Sequence, residues 1–535
     1  MKSGNRNNLF IFTIIVCLLY GAAPAAVFNI REFGAAGNGV DPDTGPIQAA
    51  IDAAGEKGGT VLVPAGIYLT GSLDMRSHVE LHLETGAVLL GSTRISDYRP
   101  HKPALPSYND LFLRYSLLYG ENLENISVTG GGTIDGQGGA FRITTNKKPD
   151  RYKDRPFILR FVACKDVRVE GVRMRNSAMW MQHYFACENV RIAGISVFNH
   201  CNKNNDMIDI DGCKNVIISD CFGDTDDDAL TLKSTSGLIT EDVTVSNCIL
   251  SSHCNAIKLG TESHGGFRNI VISDIVVKPS AHPTHIYGFP AGISGITLTM
   301  VDGGILDGVK ISNIQIDGPR VPIFMRLGDR GRVYRENMPR PGVGIFRNVT
   351  ISNVSATGAD STGCSITGLP GHPVENVTLS GIRIRFRGTG NYLPADHPVP
   401  ELPSEYPEST MFGSLPAYGF YIRHGDNIRV SDLELICDKG DPRTALICSD
   451  LKDLEIGGLR IKNAGNQNPV IVLDQIRRAV ITNARIPGAG ALFAEVTGDS
   501  TDRILITGNY MYGFPQMVRI GTKVDSAAVK VENNY

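Results

Sequence analysis

Between Asn204 and Lys233 the chain reads NNDMIDIDGCKNVIISDCFGDTDDDALTLK, and its aspartates are the residues most able to do chemistry. Asp206 and Asp227 are 21 residues apart, close to one turn of a β-solenoid, which predicts that they sit on adjacent coils at the same position around the axis. Strands on neighbouring coils lie about 4.8 Å apart. Two carboxyls that close cannot both ionise freely, so one is pushed up until it holds a proton near neutrality. Such an acid–base pair is what glycosidic bond cleavage requires. The run Asp226-Asp227-Asp228 sets adjacent like charges side by side, a cost unless something uses them. Asp227 and Asp228 can both face outward only if the strand bends there. Asp209, Asp211, Asp220 and Asp224 read as turn residues that cap backbone amides. A calcium site is the other use for clustered carboxylates.

The elements that would position these acids form a repeat. Versions of an Asn-Val-x-Ile-Ser phrase begin at Asn125, Asp166, Asn189, Asn215, Asp242, Asn269, Gly308, Asn348 and Asn376, and four looser copies begin near Asn427, Asp453, Arg478 and Arg503. The starts step by 23, 26, 27 and 27 residues in the middle and by 26, 25 and 25 at the end, with longer steps where loops are inserted. A period in the twenties marks a repeat architecture. Apolar and polar residues alternate inside each copy, and Asn, Asp or Gly bounds it, so the units are short strands. Thirteen stacked units predict an all-β parallel solenoid with one core over residues 26–535. The exception is Thr44 to Glu56, which has helical character, a cap candidate in Asp43 or Thr44, and Gly58-Gly59 beyond its end. Within an opening segment over about 28–75 it is expected to cap the exposed end of the core, as repeat proteins require.

Composition fits a globular enzyme, with 42% hydrophobic residues, 20% charged and 59 glycines. A net charge of −3 lacks the basic stripe that nucleic acid binding wants, so no nucleic acid partner is expected. The apolar stretch Leu9 to Tyr20 is too short to span a bilayer, follows Lys2 and Arg6, and precedes Ala23-Pro24-Ala25. It reads as a signal peptide over residues 1–25, cut near Ala25 or Ala26, giving an exported (periplasmic or extracellular) protein with no membrane span, expected to be a monomer. No spacing among the ten remaining cysteines resembles a metal site, and buried or free thiols are expected ahead of a disulfide framework.

Asn204-Asn205-Asp206 followed by DDALTLK (227–233) resembles the Asn-x-Asp and Asp-Asp motifs of glycoside hydrolase family 28, the polygalacturonases and their relatives. The segment from Phe28 to Leu73 is similar to the opening of that family and of wider pectin-active β-helix proteins, so the resemblance spans nearly all of the mature chain. It implies a right-handed parallel β-helix and hydrolysis with inversion. Asp227 would be the general acid, with Asp206 and Asp228 orienting and deprotonating the water. No metal or cofactor is implied.

Two departures bear on the substrate. The family's Gly-His-Gly position falls on Asn255, with His253 two residues earlier, and the family's Arg-x-Lys pair, which grips the galacturonate carboxylate, falls on Gly295-Ile296-Thr297. A uronate wants an arginine or lysine; the alternatives are Lys233, Lys258 and the run containing Arg326, Arg330 and Arg332. Asn204, Lys233, His253, Asn255, Lys258 and Arg326 are the candidate substrate-binding residues. The long insertion at about 387–421, with Tyr392, Tyr406, Phe412, Tyr418 and Phe420, is where binding groups would collect. The expectation is an exported inverting hydrolase of plant cell-wall pectic poly- or oligosaccharide, galacturonosidase-like and exo-acting. The competing readings are a rhamnosidase or other pectic side-chain hydrolase, a β-helix lyase or epimerase with a lysine or arginine base, and a non-catalytic carbohydrate-binding solenoid.

Overall fold

The computed structural model describes residues 26–111, 113–147, 150–464, 468–486 and 492–535. The leader expected over residues 1–25 lies outside them. No helix among the described residues is long and apolar enough to cross a membrane.

The Asn-Val-x-Ile-Ser phrase folds as it does because of its first residue. Asn125, Asp166, Asn189, Asn215, Asp242, Asn269, Gly308, Asn348 and Asn376 all have positive φ, as do Asn427, Asp453, Arg478 and Arg503. Left-handed backbone penalises most side chains but is tolerated by Gly, Asn and Asp, which is why those types open the phrase. A second left-handed residue stands five positions later in every copy, from Gly130 through Asp220 and Asn313 to Gly508. The two corners fix a short strand between them. Stacked corner amides bond along the coil, Asn215 Nδ2 to Asn189 Oδ1 at 3.0 Å and Asn376 Nδ2 to Asn348 Oδ1 at 2.9 Å.

Every pairing between named strands is parallel and joins one coil to the next. The register stacks like on like: Val167 on Val190, Val216, Val243 and Ile270, then Val309, Val349 and Val377. These side chains belong to one buried cluster reaching from Ile30 to Val524. Each contributes about 1.5–3 kcal/mol by leaving water.

The helix Thr44–Lys57 forms and buries Ile47, Ala50, Ile51 and Ala54 against the strands of the first coil. Its capping chemistry differs from expectation. Asp43 precedes the helix without capping it, because its carboxylate instead takes the Ala36 and Gly37 amides. The ten described cysteines are all free thiols and nine are buried.

A second parallel face carries the acids. There His183, Asp209, Thr231, Lys258 and Thr297 stack in one row, and Tyr184, Ile210, Leu232, Leu259 and Leu298 in the next. The second row is core; the first is polar yet buried, because insertions between coils fold over it.

Candidate active site

Ile208 pairs with Leu230, and Met207 N bonds to Asp228 O, so counting back puts Asp206 level with Asp228. The 21-residue spacing is thus one short of the register, and Asp227 sits at the corner beside the pair. The chain bends between Phe222–Thr225 and Leu230–Ser234, as the Asp226-Asp227-Asp228 run required. One carboxylate oxygen from each of Asp206, Asp227 and Asp228 lies within 4.8 Å of the others.

The three acids have different surroundings. Asp228 Oδ1 accepts from Asn255 Nδ2 at 2.7 Å and its Oδ2 from Lys258 Nζ at 2.8 Å, so its charge has a buried counterion. Asp227 is held by Asn204 Nδ2 at 3.4 Å and by the Asp228 amide at 3.1 Å. Burial, then the charge of Asp228, pushes Asp227 up to about 6. Burial also raises Asp206 well above the usual carboxylate range, with Asp209 and Asp227 adding to it.

Asp209 departs from its expected role as a turn cap. It lies in the strand Ile208–Asp211, fully buried, with neither oxygen hydrogen-bonded, and burial raises it too. Its neighbour is Lys233 Nζ at 3.4 Å, which also lies 3.9 Å from Asp206, 3.7 Å from Glu262 and 4.4 Å from the Trp180 ring centroid. Burial works against the Lys233 ammonium, but Asp209, Glu262 and Asp206 outweigh it and raise the group above its ordinary value. Lys258 is raised likewise, by Asp228 against burial. Neither lysine is the solvated strand-end residue its type suggests. Asp211 and Asp224 do cap: Asp211 takes the Thr235 amide and His183, and Asp224 takes the Ala281 amide.

The acids line a pocket of about 280 Å³. Asn204, Asp206, Asp227, Asp228, Lys233 and Lys258 all reach it, but three expected substrate-binding residues are not among its lining. Asn255 stands behind Asp228, its Oδ1 accepting from Thr297 Oγ1 at 3.0 Å, and positions that carboxylate. His253 is buried with Nδ1 3.0 Å from Asp226, away from the three acids. Arg326 is spent on structure. It donates to Thr367 Oγ1 and to the carbonyls of Gly368, Glu401 and Leu402, and its guanidinium lies 5.5 Å from the Phe412 ring centroid, so it ties the long insertion to the coil. Arg330 and Arg332 pair with Asp302 and Glu262.

Residues the sequence reading did not single out complete the pocket: Tyr108, Arg151, Tyr152, Trp180, Glu262, Tyr287 and Glu408, beside Tyr406 from the noted insertion. Burial pushes Glu408 up to about 7, against the pull of Lys258. The chain's single tryptophan was a visible signal. So was the long step from Asn125 to Asp166, which holds Arg151 and Tyr152. Glu262 offered none, being one acid within a strand. Arg155 is buried beneath this wall and donates to the Lys203 and Ala178 carbonyls and to Asn204 Oδ1, holding the corner that presents Asn204.

Comparison with known proteins agrees with this architecture. The sequence model for glycosyl hydrolases family 28 matches residues 57–394, and one for rhamnogalacturonase A/epimerase, pectate lyase-like proteins matches residues 27–84. A probable polygalacturonase of Vitis vinifera is 28% identical over 426 residues, covering 73% of this chain and 83% of the relative. An exopolygalacturonase of Zea mays is 22% identical over 414 residues, 73% of this chain and 94% of the relative. The crystal structure of a hyperthermoactive exopolygalacturonase from Thermotoga maritima superposes with a TM-score of 0.58 at 22% identity, covering 76% of this chain and 92% of that one.

Proposed function

Since the chain belongs to glycosyl hydrolases family 28 and is a glycoside hydrolase of the pectin-active kind, we propose that it removes galacturonate-type residues from the ends of pectic chains with inversion. The observation that carries this is the trio Asp206, Asp227 and Asp228 within 4.8 Å at the floor of a pocket walled by four insertions. Asp227, with a proton to give near pH 6, protonates the glycosidic oxygen as the bond to the anomeric carbon breaks. Asp228, its charge balanced by Lys258, takes a proton from the attacking water. Asp206, its carboxyl raised by burial and by Asp209 and Asp227, orients that water.

Walls on four sides suit a chain end better than mid-chain binding. Tyr108, Tyr152, Tyr287 and Tyr406 come from segments 99–115, 141–155, 279–293 and 387–417. A uronate carboxylate would be met by Arg151 and Lys203 in place of the missing Arg-x-Lys pair. Arg151 Nε is buried without a hydrogen-bond partner, a donor ready for an anion. Lysines held protonated by carboxylates make poor bases, which weighs against a lyase. The accompanying proposals are a right-handed single-domain coil, a covering role for Thr44–Lys57 at its first turn, export after cleavage near Ala25 or Ala26, and action as a monomer.

The test is digestion of homogalacturonan and both rhamnogalacturonans, following reducing ends, ultraviolet absorbance, product length and, by NMR, the first anomer formed. Monosaccharide of inverted configuration without absorbance is expected. Retained configuration overturns inversion, unsaturated product selects a lyase, and early mid-chain fragments an endo enzyme.

A further inference from the structure

The pocket is electrically uneven along the axis of the coil. The cations in its lining are Arg151, Lys203, Lys233 and Lys258. Lys233 is held among Asp209, Glu262 and Asp206, and Lys258 on Asp228. Arg151 and Lys203 bond instead to neutral groups, Asn204 Oδ1 at 3.2 Å and Asn146 Oδ1 at 2.9 Å. Both stand at the Asn204 end of the acids.

Glu408 stands at the opposite end. Asn204 precedes the strand Ile208–Asp211, and the pairings of Ile208 with Leu230, Leu230 with Ile257 and Asn255 with Ser294 lead three coils on, roughly 14 Å at about 4.8 Å a coil. There Ser294 Oγ bonds to Ser409 Oγ at 2.8 Å with both side chains buried. A turn closed by Met411 N on Glu408 O at 2.8 Å fixes the residue before Ser409. Glu408 therefore enters the pocket beside Lys258, Asp228 and Asn255, with the part-exposed rings of Tyr287 and Tyr406 near it.

Glu408 is only 8% exposed, and its Oε1 is buried without a hydrogen-bond partner. A buried oxygen left bare is unfavourable, so a ligand atom is called for. A uronate does not fit, because its carboxylate would meet Glu408 and Asp228 with Lys258 already committed, and burying an anion without its own cation is costly. A sugar hydroxyl fits. It donates to a carboxylate and accepts from a protonated carboxyl, so it serves Glu408, pushed up to about 7, in either state. The faces of Tyr287 and Tyr406 suit the apolar side of such a ring.

We infer that Glu408 reads the sugar on the leaving side of the scissile bond through its hydroxyls, and that this sugar is neutral. The inference rests on the reading that Arg151 and Lys203 receive a terminal galacturonate. It names the substrate class within that reading: pectic chains whose terminal galacturonate is linked to a neutral sugar rather than to another galacturonate.

The experiment uses the purified full chain and three substrates. One is an oligogalacturonate. The second, of equal length, alternates galacturonate and rhamnose with galacturonate at its non-reducing end. The third is a nitrophenyl galacturonide, which has no sugar beyond the bond. Wild type should cleave the alternating oligosaccharide with kcat/KM about tenfold or more above that for oligogalacturonate. Glu408→Ala should lower the ratio of kcat/KM on the alternating oligosaccharide to that on the nitrophenyl galacturonide by about tenfold. Glu408→Gln keeps the side chain's shape, serves if the alanine variant fails to fold, and should lower the same ratio severalfold. Equal or better cleavage of oligogalacturonate by wild type, or an unchanged ratio in a folded variant, overturns this inference alone. No cleavage of any of the three overturns the underlying reading and this inference with it.

Discussion

Lys258 Nζ sits 2.8 Å from Asp228 Oδ2, with both side chains no more than 4% exposed, and the strand Asn255–Ser263 that carries the lysine pairs with the strand just beyond the aspartate. This pair sets a buried ammonium against a buried carboxylate under the insertions. Lys258→Met leaves that charge buried without its counterion, and breaking such a pair costs about 3–5 kcal/mol. The denaturation midpoint should fall accordingly, and turnover on homogalacturonan by about a hundredfold. A folded variant with normal turnover would remove Asp228 from the reaction.

Asp227 combines an activity prediction with a stability one. If Asp227 is the proposed general acid, its group at about 6 sets an alkaline limb, so kcat/KM falls as pH rises through about 6. Asp227→Asn should keep fold and substrate binding while turnover drops by about 10²–10⁴-fold or more. Folding raises this carboxyl above its unfolded value of about 3.9, so the folded state binds the extra proton between roughly pH 4 and 6, and stability is lost across that window as pH rises. Asp227→Asn should therefore be more stable than wild type above pH 6, by about 3 kcal/mol at most, and no more stable below pH 4. Urea melts at pH 4 and pH 8 decide it.

Arg151 tests the substrate. If its guanidinium receives a uronate, Arg151→Ala loses a charge-assisted hydrogen bond worth about 1.5–3 kcal/mol, so KM for oligogalacturonate should rise roughly ten- to a hundredfold. Hydrolysis of neutral pectic oligosaccharides, if any occurs, should change little. An equal effect on both would show Arg151 serving only the wall.

Arg326 tests the insertion. Its bonds to the Glu401 and Leu402 carbonyls hold the segment that brings Tyr406 and Glu408 to the pocket. Arg326→Ala should make residues 387–417 the first site of proteolytic nicking, read by limited digestion and mass spectrometry, while the coil resists. Nicking elsewhere first would assign the insertion's order to other contacts.

Arg503 opens the last copy of the phrase at φ 54, where a left-handed backbone costs an ordinary residue about 1–2 kcal/mol. Arg503→Asn should raise stability by roughly 0.5–1 kcal/mol, seen as a higher denaturant midpoint. The reverse change, Asn376→Arg, should lower it.

The repeat determined the coil from the sequence alone, because each phrase carries its own corners. Asn189, Asn215 and Asn269 sit where the backbone is left-handed, and that preference is local, needing no distant contact to be read. The same locality placed Asp206, Asp227 and Asp228 together, since a fixed period turns sequence distance into spatial distance. What only the tertiary structure decided is how the insertions close over that face. Tyr108, Arg151, Tyr287 and Glu408 reach one pocket from four segments without a shared period, so no spacing announces them. Tertiary packing also gave the cations different tasks: Lys233 and Lys258 are drawn in to balance buried carboxylates, and Arg326 is turned away to hold a loop. His253 was visible as a histidine beside the acids, yet the corner at Asp226 carries it behind them. A side chain's charge is written in the sequence, but the neighbours that use it are set by chain brought back from far away.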